Sequence, residues 1–139
     1  MIYLDASTIV SLYVSEPMSL RVADMLAQAR KPVVASTWTL LECVSAFSIK
    51  ARVGSLSATD VSRLCQKLQS EAGYDFGLEQ VVNDDLIQAT TFIQTCATPL
   101  RAGDALHLAI CRRLAASLLT LDRGMETAAK ALSLPLLVI

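Results

Sequence analysis

Short apolar runs separated by amphipathic stretches alternate along the whole chain. Ile2–Leu4, Val33–Ala35 and Leu118–Leu121 are apolar runs of three or four residues, the length and make-up of strands buried on both faces. Leu136–Ile139 predicts a further strand, and Phe76–Val82 contains one interrupted by Gly77, Glu79 and Gln80. Between these runs the apolar positions recur at helical spacing. A helix is expected from Ser7 to Val14. In Ser19–Ala29, Leu20, Ala23, Met25, Leu26 and Ala27 alternate with Arg21, Asp24 and Gln28, an amphipathic pattern. Ser36 or Thr37 caps a helix through Arg52 that Gly54 stops, and Ser57 with Asp60 opens another to Ala72, ended by Gly73. Asn83 caps a helix to Cys96 with Asp84 and Asp85 in its first turn, Pro99 follows, and Ala102–Ala115 and Asp122 or Arg123 to Leu132 complete the set. Strands alternating with helices predict an α/β domain, a parallel sheet of about five short strands covered on both faces. Residues 1–139 read as a single domain. The pair of helices from Thr37 to Ala72 lacks an intervening strand and is expected to stand beside the sheet as a clip.

Composition sharpens this in two ways. A hydrophobic content of 53% fits a compact core and not a disordered chain. A formal net charge of −1 withholds the basic excess that a nucleic-acid binder usually carries, so any affinity for a polyanion must come from a local patch or from cations at an acidic site. The four cysteines, Cys43, Cys65, Cys96 and Cys111, have no CxxC spacing, which argues against a zinc knuckle and for free thiols. With no leader pattern and no apolar run of membrane length, a cytoplasmic protein without a membrane partner is expected.

Of the thirteen acids, four stand where surface acids rarely do. Asp5 closes the first apolar strand, Glu42 interrupts the apolar stretch of Leu40, Leu41, Val44 and Phe47, Asp104 lies in the first turn of an apolar helix, and Asp122 closes the strand Leu118–Leu121. Ligands in parallel sheets bind beyond the carboxyl ends of strands, where Asp5 and Asp122 stand. Helix N-termini ease the clustering of carboxylates by only about 1 kcal/mol each, whereas a divalent ion with oxygen ligands holds such a group together. Each acid also has a structural reading: Asp122 as a helix N-cap, Asp104 as a dipole partner, Glu42 as half of an ion pair. Asp5 is the hardest to explain that way, because an unpaired charge at the mouth of an apolar strand is costly.

The segments MIYLDASTIVSLY, TLLECVSAF, LRAGDALHLAI and LLTLDRG, in this order and spacing, resemble the PIN domain family, and closely the VapC-type toxins of toxin–antitoxin pairs. The resemblance spans nearly the whole chain. It implies a three-layer fold with a central parallel sheet, Mg²⁺ or Mn²⁺ as cofactor, and hydrolytic endoribonuclease activity leaving a 5′-phosphate. It also implies a cognate antitoxin that covers the site, and a homodimer. The family's acids map to Asp5, Glu42, Asp104 and the more variable Asp122, and its hydroxyl residues to Ser7 and Thr120. On this reading the four acids hold the ion, Asp122 directly or through water, and Ser7 and Thr120 orient a carboxylate or make local backbone hydrogen bonds.

Arg101, Arg123, Lys50 and Arg52 are candidate phosphate contacts. The first two serve equally as ion-pair partners of the acids, the last two as partners of a helix C-terminus. His107, the only histidine, follows Asp104 by one helical turn. A metal or acid–base role is open to it, and packing within the helix is the favoured reading. Trp38 and Tyr13 suit core packing better than base stacking. Two other functions compete. One is a catalytically inactive PIN-like module that binds RNA or protein, which the presence of all four acids disfavours. The other is a haloacid dehalogenase-like phosphatase, which requires a second Asp where this chain has Ser7 and a Lys where it has only Arg101 and Arg123.

Overall fold

The computed structural model describes residues 1–138. Five strands, β1 (Ile2–Leu4), β2 (Val33–Ser36), β3 (Gly77–Glu79), β4 (Ser117–Leu119) and β5 (Leu136–Leu137), form one sheet in the order β3-β2-β1-β4-β5. Every pairing is parallel. Seven helices cover it: α1 (Ala6–Tyr13), α2 (Ser19–Gln28), α3 (Thr37–Arg52), α4 (Ala58–Glu71), α5 (Asn83–Thr95), α6 (Ala102–Arg113) and α7 (Arg123–Ala131).

Successive strand residues face opposite ways, and the core divides accordingly. Tyr3, Val34 and Leu118 pack with Phe92, Leu108, Ile110 and Ala128 of α5, α6 and α7. Ile2, Leu4, Ala35 and Leu119 pack with Ile9, Cys43, Phe47 and Leu68 of α1, α3 and α4. This is the predicted three-layer arrangement. The helices α3 and α4 do not stand clear of the sheet, because Cys43, Phe47, Leu64 and Leu68 are part of this second core.

The boundaries that moved have local causes. β4 stops at Leu119, not Leu121, because its ladder partner β1 ends at Leu4, opposite Leu119. Thr120, Leu121 and Asp122 therefore leave the sheet. β3 shrinks to three residues around Gly77, where a Cβ would lie 3.0 Å from Val34 Cγ1, so the close strand approach requires glycine. α1 begins one residue early because Asp5 caps it, its carboxylate accepting from the Thr8 amide. α6 ends at Arg113, and Ala115 follows in the left-handed region at φ 48°. The cap of α5 is Val82, whose amide donates to the Asp85 carboxylate at 3.0 Å. Of the fifth predicted strand, Leu136 and Leu137 pair with β4, and Ile139 lies outside the described residues.

The chain leaves β1 toward β2 and β3, then returns to β4 and β5 on the other side. β1 and β4 thus flank the switch point where parallel sheets open a crevice at their carboxyl ends.

Candidate active site

Asp5, Glu42, Asp104 and Asp122 line one open cavity at this switch point, together with Ser7, Ser45, Ile49 and Met125. They arrive from four separate segments: the end of β1, the middle of α3, the first turn of α6 and the loop after β4. No Lys or Arg side chain lines the cavity.

Asp5 is 2% exposed, yet no cation neutralises it. Its Oδ1 accepts from Thr8 N at 3.0 Å, Thr8 Oγ1 at 2.8 Å and Ser7 Oγ at 2.9 Å. Its Oδ2 accepts from Ser7 Oγ at 2.7 Å and Thr120 Oγ1 at 2.8 Å. Thr120 combines the two alternatives left open by the sequence, a carboxylate contact and a local backbone bond, whereas the backbone bond of Ser7 is to the distant Leu121. While donating to Asp5, Ser7 Oγ accepts from Leu121 N at 2.9 Å and Thr120 Oγ1 accepts from Asp122 N at 3.0 Å. The loop after β4 is thereby tied to the end of β1.

Asp122 caps α7, its Oδ1 accepting from Met125 N at 2.8 Å, and its second oxygen is left for other partners. Asp104 is half-buried, and its carboxyl is held above the ordinary carboxylate range. Burial is the largest cause, followed by the Asp122 charge, with Glu42 adding to it and His107 and Arg101 opposing. Glu42 lies in the wall between α3 and α6. Its Oε2 pairs with His107 Nε2, and its Oε1 faces Gly103, where a Cβ would stand 2.9 Å away. Among the described residues, no three His, Cys, Asp or Glu stand close enough together to hold a metal ion as they are placed. Glu42 is turned onto His107, and both oxygens of Asp5 accept from hydroxyls or an amide and from no cationic side chain.

The basic candidates separate. Arg101 precedes α6 and draws the Asp104 carboxyl downward, and Arg123 lies on the exposed start of α7. Lys50 pairs with Glu16 at 2.6 Å, and Arg52 folds back toward Ser48 O at 3.4 Å. Neither of these two reaches the cavity lining. Tyr13 packs in the core and donates to Glu71 at 2.7 Å. Trp38 packs against the other core, its indole Nε1 buried without a partner. All four cysteines are free.

Two features escaped the sequence reading. His107 is packed, as expected, but it also holds Glu42; its place one turn beyond Asp104 was the only signal. Gly103 carries no signal in the sequence pattern, and its missing side chain makes the room that Glu42 Oε1 occupies.

Fold and cavity together define a three-layer, all-parallel α/β domain with an acidic pocket at the carboxyl ends of its central strands. The chain belongs to the PIN domain family, whose model matches residues 2–131. Several solved structures share its fold. FitAcB from Neisseria gonorrhoeae has a TM-score of 0.76 at 19% identity, covering 99% of this chain and 97% of that one. VapC20 from Mycobacterium tuberculosis, a toxin that cleaves the sarcin–ricin loop, has a TM-score of 0.71 at 17% identity, covering 92% and 95%. A toxin–antitoxin complex from Klebsiella pneumoniae has a TM-score of 0.67 at 13% identity, covering 99% and 97%. No curated protein sequence matches the chain. Among the described residues, no helix is long and apolar enough to cross a membrane.

Proposed function

We propose that this chain is a divalent-metal-dependent endoribonuclease, the toxin of a toxin–antitoxin pair. One observation carries the reading: four carboxylates from distant segments line a cavity that no cationic side chain lines. Like charges so placed raise the proton affinity of Asp104, and an oxygen-rich donor set of this kind suits Mg²⁺ or Mn²⁺. Asp5, Glu42 and Asp104 would hold the ion, with Asp122 assisting through its uncapped oxygen. When bound, the ion supplies Lewis-acid neutralisation of charge on the scissile phosphodiester.

The chain's own residues account for the rest. Ser7, Thr8 and Thr120 fix Asp5 in one orientation. A cation at this site would favour the ionised form of Asp104, against the burial and the Asp122 and Glu42 charges that raise its carboxyl. Arg101, just before α6, and Arg123, at the start of α7, are the phosphate contacts in this reading, with Lys50 and Arg52, engaged with Glu16 and Ser48 O, as the secondary candidates. RNA as substrate has support from the likeness to VapC20, and an antitoxin partner from the likeness to toxin–antitoxin complexes. The exposed Leu41, Val44 and Ile49 of α3, the last of which lines the cavity, suit such a partner. A homodimer and a cytoplasmic location complete the proposal.

The test is RNA cleavage by wild type and Asp5→Asn, with Mn²⁺ and with chelator. Asn is as good an N-cap as Asp, and the neighbouring hydroxyls can accept from its amide, so the variant keeps its fold. Cleavage is expected only for wild type with metal. Cleavage by Asp5→Asn at the wild-type rate rejects the proposal. Failure of the wild type to bind Mg²⁺ or Mn²⁺ in a calorimeter would favour the inactive binding module instead.

A further inference from the structure

Behind the cavity lies a hydrogen-bonded group that the chemistry above leaves without a task. Tyr3, Ser36 and Thr39 are fully buried, and His107 is 1% exposed. Tyr3 Oη lies 2.8 Å from Ser36 Oγ, 3.2 Å from Thr39 Oγ1 and 2.8 Å from His107 Nδ1. Three of these residues each sit beside one acid on the same element. Tyr3 is two residues before Asp5 at the end of β1, Thr39 one helical turn before Glu42 on α3, and His107 one turn after Asp104 on α6. The group therefore joins the three elements that bring those acids together.

Thr39 N donates to Ser36 Oγ at 3.1 Å, and Ser36 N donates to Thr39 Oγ1 at 3.2 Å, so each hydroxyl keeps its own proton to donate; the two hydroxyls also lie 3.0 Å apart. In the proposed arrangement the Ser36 hydroxyl donates to Tyr3 Oη and Tyr3 Oη donates to His107 Nδ1. A neutral imidazole that accepts at one nitrogen donates at the other, so Nε2–H faces Glu42 Oε2. One oxygen of Glu42 is anchored in this way while Oε1 stays unclaimed.

We propose that His107 is a positioning residue. As the last link of a one-way donor chain from Ser36 through Tyr3, it fixes the Glu42 carboxylate with one oxygen held and the other presented to a divalent cation. This rests on the carboxylate reading above. It follows the general logic by which a hydrogen-bonded partner orients a metal-binding carboxylate.

Because the chain has a single histidine, its imidazole nitrogens can be read without ambiguity in ¹⁵N-labelled, metal-free protein. The Nε2–H tautomer is expected, with a resonance that moves in Glu42→Ala. An Nδ1–H tautomer, or a resonance indifferent to Glu42→Ala, overturns the proposal whatever the metal does. Mn²⁺ affinity by calorimetry then measures the consequence. His107→Phe should lose roughly 10- to 100-fold, and His107→Gln, whose amide can still donate to Glu42, should recover part of it. Tyr3→Phe keeps the packing and should lose a smaller factor at unchanged melting temperature, which keeps the test decisive where His107→Phe does not fold. Wild-type affinity in both Tyr3→Phe and His107→Phe, with none in Asp5→Asn, overturns the positioning role and leaves the carboxylate site standing. Absence of Mn²⁺ binding in wild type overturns both.

Discussion

Two carboxylates in this molecule are almost wholly buried, and they are satisfied by opposite means. Asp85, 1% exposed, meets Arg113 Nε at 2.7 Å and Nη2 at 3.2 Å, and accepts from Val82 N at 3.0 Å. Asp5, 2% exposed, meets only hydroxyls and one amide. At Asp85 the charge is matched, and Arg113 also reaches Gln80 O at 3.0 Å, clamping the end of β3 to α5 and α6. At Asp5 the orientation is fixed but the charge is left unmatched. The comparison separates a carboxylate matched by an arginine from one matched by no cationic side chain, the one that the proposed function assigns to a metal ion.

The comparison is broken most sharply from the architectural side. Arg113→Ala strands the buried Asp85 charge. It should cost about 2 kcal/mol in urea unfolding, less than for a fully buried pair because Arg113 itself is 31% exposed. Mn²⁺ affinity of the folded protein should be unchanged; a parallel loss of affinity would mean the two centres are not separate. Gly103→Ala is expected to give the reverse pattern. A Cβ 2.9 Å from Glu42 Oε1 displaces a flexible side chain and no backbone, so the melting temperature should hold or rise, since alanine favours helix. Mn²⁺ affinity should fall, on the order of tenfold.

The smallest effect belongs to Asp104→Asn in chelated protein. Burial and the Asp122 charge raise the Asp104 carboxyl, so folding is favoured by its protonated form. That advantage is complete below the ordinary carboxylate pKa and is lost as pH rises through the raised value. The variant should therefore melt slightly above wild type at neutral pH and level with it near pH 3, about a unit below the ordinary Asp value. A variant that melts lower at neutral pH would contradict the crowding of like charges in this cavity.

Much of the frame was legible because burial on both faces leaves a plain signature. Ile2–Leu4 and Val33–Ser36 are apolar or capping at every position, and Ser57 with Asp60 forms the capping box its spacing announces. What was not legible depended on distant geometry. The end of β4 is decided by where β1 ends. The pairing of Glu42 with His107 spans 65 residues, and that of Asp85 with Arg113 spans 28. Asp5 shows the limit most clearly. The sequence marks it as an unexplained charge, and only the fold reveals that it is also the cap of α1.

The central place of β1 has a consequence for synthesis. Asp5 leaves the ribosome 115 residues before its partner Thr120, and β1 has no neighbour on one side until β4 emerges. A nascent chain holding Asp5, Glu42 and Asp104 still lacks the strand that locks the first of them. Pairing so remote in sequence forms late, so the cavity is completed only after β4 and Thr120 have been made. Premature termination anywhere before residue 117 yields fragments with acids but no assembled pocket.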